Sequence, residues 1–255
     1  METLGSPVII STPHLQRLAE FEAALKHYQV SPKAQLILDQ TTLVLLIGPT
    51  SSGRNTIIER LLRSGDYQYI VSDTTRPKRI NNGVREKNGV EYWFRSEDEM
   101  LADIQGGKFL EAEIIHRQQV SGTSVRELEY AHEKGRIAIT DIDIGGVYNI
   151  VKTKPDTIVI LILPPSFESW QKRLKGRGHM SPEEYRRRTE TALRIFSAPA
   201  QHDFFRIVVN DKLEEAVQQV DALAQGKNLE SDQYEANKQL AHDLYVATES
   251  LFETL

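Results

Sequence analysis

Residues 42–56 decide the predicted fold: Thr42-Leu-Val-Leu-Leu-Ile47 is followed directly by Gly48-Pro-Thr-Ser-Ser-Gly53-Arg54-Asn55-Thr56. The first part is a short, continuous apolar run that ends at a glycine, which is typical of a strand buried on both faces in a parallel sheet. Small and polar residues follow, and a helical pattern over residues 56–63 comes next. The stretch therefore predicts a strand, a tight loop and a helix in direct succession.

A loop of small residues in this position is suited to phosphate, because it exposes successive backbone N–H groups at the positive end of the helix dipole. Residues 48–56 nearly follow the pattern G-x-x-x-x-G-K-[ST]. Arg54 stands where lysine is usual, and Asn55 stands where a Mg²⁺-binding hydroxyl is usual. Either the amide oxygen of Asn55 or the hydroxyl of Thr56 is a candidate ligand for the metal. By itself the pattern fits both a phosphate-binding loop and an unliganded turn.

Three further apolar runs repeat the strand pattern, at residues 136–140, 157–163 and 205–209. Helical patterns lie between and after them, at residues 97–106, 124–134, 167–175, 181–196 and 213–224. Such alternation predicts an α/β fold with a parallel sheet flanked by helices. Ligands of these sheets bind at the carboxyl ends of the strands, where Gly48, Asp141 and Asn210 lie.

The composition argues against several classes of protein. The 255 residues carry 31 Lys and Arg against 36 Asp and Glu, and a net charge of −5 argues against a protein that coats nucleic acid. The absence of cysteine excludes disulfides and thiolate chemistry. No apolar run is long enough for a membrane span, and residues 1–10 lack a secretory signal pattern. We therefore expect a cytoplasmic protein without a membrane partner.

A second group of residues is suited to a phosphate monoester. Arg76 and Arg79 lie three apart and follow a stretch with several hydroxyl groups, and guanidinium forks match phosphate oxygens. The phenol of Tyr92 is a further donor for the same anion. A solvated basic loop is the alternative interpretation of two arginines at this spacing.

Two more features point to a purine base and a metal. A glutamate and a threonine that face a base edge can read guanine, because the carboxylate accepts from N1–H and the 2-amino group while the hydroxyl addresses O6. Glu111 and Thr123 are of these types. The segment Asp141-Ile-Asp143 follows a predicted strand, where an acidic side chain can hold a metal or its waters.

These segments, in this order, resemble the guanylate kinase family, whose members transfer the γ-phosphate of ATP to GMP. The resemblance covers about residues 43–223 and implies a P-loop fold with an inserted nucleotide-binding β-rich subdomain and a helical lid. It implies that GMP is bound by Ser72, Arg76, Arg79, Tyr92, Glu111, Thr123 and Asp143. It implies that ATP is bound by Gly48, Pro49, Thr50, Ser51, Ser52, Gly53, Arg54, Asn55, Thr56 and Asn210.

The resemblance also implies catalytic arginines and a metal. The segment Arg173-Leu-Lys-Gly-Arg177-Gly178 resembles the start of the family's lid, and Arg188 follows at the family's spacing. The implied catalytic set is Arg54, Arg76, Arg173, Arg177 and Arg188. Mg²⁺ is the implied cofactor, held by Asn55 or Thr56 and by Asp141. We interpret Arg186 and Arg187 as a solvated helix face.

Several departures keep alternatives open. Besides Arg54 and Asn55, Ser121 replaces an expected phosphate-binding tyrosine. A catalytically weak or inactive module that binds nucleotide, or a phosphorylated or acidic partner, is the main alternative to an active kinase. A kinase for another nucleoside monophosphate is a third interpretation.

The predicted boundaries are an N-terminal helical extension at 1–40, a kinase-like domain at 41–226 and a C-terminal helical extension at 227–255. Within the domain we expect a GMP-binding insert at about 72–125 and a lid at about 167–197. In the N-terminal extension Pro13 is a candidate helix start, and helical spacing relates Leu15, Leu18, Phe21, Ala24, Leu25 and Tyr28. We expect this helix to pack on the domain, and the C-terminal helix either to dock or to form an oligomer contact. The oligomeric state is not predicted.

Overall fold

The computed structural model describes residues 15–81, 83–176, 178, 180–228 and 230–255. The chain forms two compact units. The first unit combines Val71–Ser124 with the described part of Met1–Ala34, and the second combines Gln35–Ile70 with Val125–Leu255. Pro13 and Arg177, which the sequence analysis singled out, lie outside the described residues.

The helices, in chain order, are α1 (Leu18–Lys26), α2 (Pro32–Gln40), α3 (Arg54–Leu62), α4 (Glu97–Gln105), α5 (Val125–Glu133), α6 (Ile144–Thr153), α7 (Phe167–Lys175), α8 (Pro182–Gln201), α9 (Leu213–Ala224) and α10 (Ser231–Phe252). The strands are β1 (Leu43–Ile47), β2 (Tyr67–Tyr69), β3 (Asp73–Thr74), β4 (Ile80–Asn81), β5 (Val84–Arg85), β6 (Trp93–Phe94), β7 (Phe109–Ile115), β8 (Gln119–Ser124), β9 (Ile137–Asp141), β10 (Ile158–Leu163) and β11 (Phe205–Val209). Among the described residues, no helix combines the length and the apolar character that crossing a bilayer requires.

The second unit contains a five-stranded sheet of order β11-β10-β1-β9-β2, in which every pairing is parallel. All residues of β1 are buried, because helices cover both faces of the strand. Apolar side chains from β1, α3, β9, β10 and α9 form one core cluster. The α/β class and its parallel sheet, predicted from the alternation of apolar runs, are confirmed.

The strand β2 and the helix α6 of the second unit were not predicted from the sequence. The strand β2 has only three residues and no apolar run, so no periodic pattern marks it. The helix α6 begins with Ile144-Gly-Gly, and two glycines weaken a helical pattern. Asp143 compensates by capping α6, since its carboxylate accepts a hydrogen bond from the backbone N–H of Gly146 at 2.8 Å.

The first unit contains a four-stranded sheet of order β6-β3-β8-β7 and a separate hairpin of β4 and β5. The helices α1 and α4 pack beside the long β7–β8 hairpin. The core of the first unit includes all six apolar residues predicted for the N-terminal helix. Leu15 and Phe21 are buried, and Leu18, Ala24, Leu25 and Tyr28 pack against this core. The helix α1 packs on α4 and β7 within the first unit, while Leu15 and Tyr28 lie outside its span of Leu18–Lys26.

The C-terminal helix α10 docks on α8 and β11 within the second unit. The side-chain amide of Asn237, which is buried, donates to the backbone oxygen of Ile207 at 2.8 Å. Arg186 and Arg187 are exposed on α8, in agreement with the predicted solvated face, and the guanidinium of Arg186 also lies 4.5 Å from the ring centroid of Phe252. The sequence did not indicate this contact because the two residues lie on different helices.

Candidate active site

Two glycines shape the loop between β1 and α3. Any other residue at either position would force neighbouring atoms to move. Gly53, which precedes α3, has a φ of 100°, in the left-handed region that favours glycine. A Cβ at Gly53 would lie 2.1 Å from the side-chain nitrogen of Asn210. A Cβ at Gly48 would lie 2.6 Å from the backbone oxygen of Ile162. The tight turn predicted from the sequence is therefore a requirement of its surroundings.

Two buried side chains hold the carbonyl groups of this loop. The indole N–H of Trp170 donates to the backbone oxygen of Thr50 at 2.9 Å, and the amide N–H of Asn210 donates to that of Ser52 at 2.8 Å. Trp170 is fully buried, and Asn210 is 6 % exposed. Asn210, which the sequence predicts as an ATP ligand, has its amide nitrogen bound to the loop. Trp170 was not predicted, because nothing local marks an indole that bonds a residue 120 positions away.

The loop residues surround a polar cavity of about 250 Å³. Its lining residues are Thr50, Ser51, Ser52, Gly53, Arg54, Asn55, Thr56 and Asp141. Within the described part of the chain, the hydroxyl oxygens of Ser51 and Ser52 are buried without a hydrogen-bond partner. Buried polar atoms normally have partners, so these hydroxyls indicate a place for a polar ligand. Gly48 and Pro49, also predicted for ATP, do not line this cavity.

The Arg54 side chain extends toward the end of β9. Its Nη1 atom lies 3.6 Å from Oδ2 of Asp141 and donates to the backbone oxygen of Ile142 at 3.4 Å. The phenol of Tyr69 donates to Oδ1 of the same aspartate at 3.1 Å. The carboxylate of Asp141 is thus held between a cation and a phenol, and the sequence analysis missed Tyr69.

Side-chain oxygen atoms in the cavity are suitable ligands for Mg²⁺. Asn55 and Thr56 are exposed, Asp141 is partly buried, and all three line the same cavity. In the described ranges, no group of three or more His, Asp or Glu side chains forms a complete metal cage. Mg²⁺ typically uses one or two protein oxygens together with substrate phosphates and water, so this sparse set of ligands fits the ion.

In the first unit, the structure brings together the two residues predicted to read guanine. Glu111 on β7 and Thr123 on β8 are paired directly across the antiparallel ladder. The threonine hydroxyl donates to Oε1 of Glu111 at 2.9 Å. Direct cross-strand partners have side chains on the same face of the sheet, which places the carboxylate and the hydroxyl side by side.

The structure gives Arg76 a partner that the sequence analysis missed. Its guanidinium forms two hydrogen bonds with the carboxylate of Glu86, at 2.6 and 2.9 Å, and both side chains are buried. Its Cζ atom lies 4.7 Å from the ring centroid of Tyr92. The backbone N–H of Arg79 donates to the same glutamate at 2.8 Å, while the Arg79 side chain is exposed. The exposed guanidinium is thus the more accessible of the two predicted phosphate ligands.

The Arg76 guanidinium, by hydrogen bonding, lowers the pKa of Glu86 to about 2. The ordinary glutamate pKa is about 4.3, so ionised Glu86 stabilises the fold at neutral pH and loses that effect as pH falls from about 5 toward 2. We expect Glu86→Gln to lower the free energy of unfolding most at pH 7, with a difference from wild type that shrinks by pH 3. Urea unfolding followed by circular dichroism at both pH values measures it. Glu91→Gln, at an exposed site nearby, serves as control, and a difference that stays constant with pH would contradict the expectation.

The remaining predicted residues make other contacts. Ser72 lies in the first unit, where its backbone oxygen accepts from the N–H of Trp93 at 2.9 Å. Asp143 belongs to the second unit, as the cap of α6. Arg173 donates to the backbone oxygen of Asn210 at 3.0 Å, and Arg188 donates to Glu184 on its own helix. Neither arginine lines the loop cavity.

The parallel sheet and the glycine loop at the end of β1 define an α/β protein of the P-loop class. The family model described as guanylate kinase matches residues 40–226. The chain belongs to the guanylate kinase family.

Named relatives agree with this assignment. The guanylate kinase of Corynebacterium diphtheriae is 36% identical over 187 residues, which cover 72% of this chain and 95% of the relative. The guanylate kinase of Mycobacterium leprae is 37% identical over 190 residues, which cover 74% of this chain and 88% of the relative. The crystal structure of guanylate kinase from Anaplasma phagocytophilum matches with a TM-score of 0.52 at 23% identity, covering 75% of this chain and 88% of that one, and supports the fold.

Proposed function

We propose that the protein transfers the γ-phosphate of ATP to GMP, giving ADP and GDP. The observation that carries this proposal is the loop cavity, which retains buried, unpartnered hydroxyls and polar walls despite the changes at Arg54 and Asn55. The guanylate kinases of bacterial relatives support the choice of reaction.

On the donor side, residues 48–56 hold the phosphates of ATP through the loop and through Arg54, and Asn210 contributes by fixing the loop. Phosphoryl transfer depends on positioning and charge neutralisation rather than on covalent chemistry. Asn55 or Thr56, together with Asp141, would hold Mg²⁺, which would neutralise phosphate charge on bound ATP. Arg173, Arg177 and Arg188 belong to a lid over about residues 167–197 and add positive charge.

On the acceptor side, Glu111 and Thr123 read the guanine edge, and Asp143 contributes to the same recognition. Ser72, Arg79 and Tyr92 bind the phosphate of GMP. Arg76, whose guanidinium is bound by Glu86, adds charge and positions its neighbours. Apart from Asp143, these residues lie in a GMP-binding insert at about 72–125, and all of them lie inside a kinase domain at 41–226.

A coupled assay of ADP release with GMP and Mg·ATP tests the proposal. We expect turnover with GMP, and much lower turnover with AMP, CMP and UMP. Turnover of all four at similar rates would contradict the role of Glu111 in base selection. Absence of turnover with every acceptor would contradict the kinase reaction.

A module without catalysis is the second candidate function, and one observation favours it. Arg54 lies beside Asp141 rather than standing free in the cavity, and its neighbour Asn55 lacks the usual hydroxyl. Titration with Mg·ATP separates the two functions: no binding into the millimolar range favours the module. Binding of ATP at lower concentration together with ADP release favours the kinase.

Replacing Arg54 with lysine is expected to preserve or raise turnover. Lysine is the usual residue at this position, and the loop amides and the start of α3 remain in place. The measurement is kcat for ADP release, with Arg63→Lys at the exposed end of α3 as the matched control. A large fall in kcat for the Arg54 variant alone would mean that the planar guanidinium beside Asp141 is part of a different working geometry.

A further inference from the structure

The N-terminal segment contributes one hydroxyl group to the strand that carries Glu111. Tyr28, between α1 and α2, lies before residue 40, where the family match begins. Its phenol oxygen accepts a hydrogen bond from the backbone N–H of Phe109 at 2.7 Å and donates one to the backbone oxygen of Phe109 at 2.5 Å. A single side chain thus satisfies both backbone groups of one strand residue.

These bonds are made where the strand is irregular. Phe109 pairs with Ser124 and Glu111 pairs with Thr123, so the register shifts between Phe109 and Glu111. Such a bulge leaves backbone groups outside the ladder and redirects the following side chain. Among the described residues, β7 is the outer strand of its sheet, so the edge of β7 that faces away from β8 has no neighbouring strand there. Tyr28 occupies the place of the missing neighbour.

Further contacts fix the tyrosine beside the bulge. The backbone N–H of Ser31 donates to the oxygen of Gly107 at 2.9 Å. Gly107 has a φ of 64°, and a Cβ there would lie 2.5 Å from the nitrogen of Ser31, so the two segments approach closely. In addition, Phe21 of α1 is fully buried in the core shared with α4 and Phe109.

The phenol stays protonated throughout the physiological range. Burial raises the pKa of Tyr28 to about 12, and the negative charge of Glu111 adds to this effect. The hydroxyl therefore keeps the proton that it donates to Phe109.

We propose that Tyr28 is a positioning residue for recognition of the acceptor base: it fixes the bulge at Phe109 so that the Glu111 carboxylate stays aligned with Thr123. This inference rests on the proposed function, because it gives the N-terminal segment a role in selecting GMP. It implies that residues outside the matched kinase segment are needed for full affinity toward the acceptor, but not toward ATP.

Steady-state kinetics of the full-length Tyr28→Phe variant test the inference. Loss of these hydrogen bonds is expected to raise the KM for GMP about tenfold, while the KM for ATP and kcat at saturating GMP stay close to wild type. Discrimination between GMP and inosine monophosphate, which lacks the 2-amino group, is expected to fall. Tyr245→Phe, which removes a hydrogen-bonded hydroxyl from α10, is the matched control and is expected to change none of these values.

A second variant separates positioning from general destabilisation. Leu25→Ala weakens the packing of α1 without removing the hydroxyl, and its melting temperature is compared with that of Tyr28→Phe. A rise in the KM for GMP that follows melting temperature in both variants would overturn the proposal, as would an unchanged KM in Tyr28→Phe. Hydrogen exchange at the amide of Phe109 gives a readout without turnover: faster exchange in Tyr28→Phe supports the inference, and unchanged exchange overturns it.

Different experimental results would contradict the proposed reaction and this inference. Wild-type protein that does not release ADP contradicts the kinase reaction, whatever the variant does. GMP binding, measured by equilibrium titration, still tests Tyr28 in that case. Equal GMP affinity in wild type and Tyr28→Phe would then overturn the inference alone.

Discussion

The Gly53→Ala variant is expected to turn over ATP about 100-fold more slowly than wild type, since a displacement of about 1 Å in a positioning element can cost this much. Two effects add at this residue. Alanine is disfavoured at a φ of 100°, and its Cβ would lie 2.1 Å from the side-chain nitrogen of Asn210. To avoid the collision, Asn210 must move and release the backbone oxygen of Ser52. The loop then loses one of the two side chains that hold its carbonyl groups.

Gly65→Ala provides the matched control for this prediction. Gly65 has a φ of 86°, yet a Cβ there would meet nothing within 4 Å. The control variant shares the conformational cost of about 1 kcal/mol but not the collision. We expect near-normal turnover for Gly65→Ala, and weaker ATP binding for Gly53→Ala in equilibrium titration. Equal turnover in the two variants would show that the contact between Gly53 and Asn210 does not shape the loop.

The Glu111→Gln variant is expected to lose about 1,000-fold or more in kcat/KM for GMP, because a site built to hydrogen-bond one partner strongly rejects a mismatch, and Glu111 is partly buried. Glutamine has nearly the same size and still offers an oxygen to the Thr123 hydroxyl, 2.9 Å away in the wild type. Its amide nitrogen, however, is a donor and faces the N–H donors of guanine. The loss is therefore expected for guanine nucleotides, with little change in the KM for ATP.

Glu113→Gln is the control for this prediction, because Glu113 lies two residues along the same strand and is exposed. It removes the same charge from the same strand without touching the pair of Glu111 and Thr123. We expect its kcat/KM for GMP to stay within about threefold of wild type, as for ordinary surface substitutions. If both variants lost GMP activity equally, strand charge rather than base reading would explain the effect.

The parallel sheet was predictable because the local sequence of its longer strands is a continuous apolar run. A strand buried on both faces must be apolar at every position, and β1 and β10 meet that condition over their whole length. The three-residue strand β2 has no such run, and it forms because β9 offers a free edge. Likewise α6 depends on its cap at Asp143 rather than on a strong helical pattern.

The candidate site was predictable in its composition but not in its contacts. The residues flanking Gly53 were assigned to phosphate binding from the order strand, glycine loop and helix. Nothing in that order indicates that Trp170 and Asn210 hold the loop, since these hydrogen bonds span 120 and 158 positions. The pairing of Arg76 with Glu86 was equally hidden, because an arginine offers its fork to phosphate and carboxylate alike.

The sequence by itself determined the α/β class, the parallel strands and the glycine loop, because each depends on the pattern of neighbouring residues, and its resemblance to the guanylate kinase family singled out Glu111 and Thr123. Only the tertiary structure decided that Glu111 and Thr123 are cross-strand partners, that Asn210 fixes the loop, and that Tyr28 supports β7. The physical reason is that register, burial and hydrogen bonds between distant segments arise from the packing of whole elements. A local sequence pattern shows which side chains are present, whereas the packing of helices and strands decides which of them come into contact.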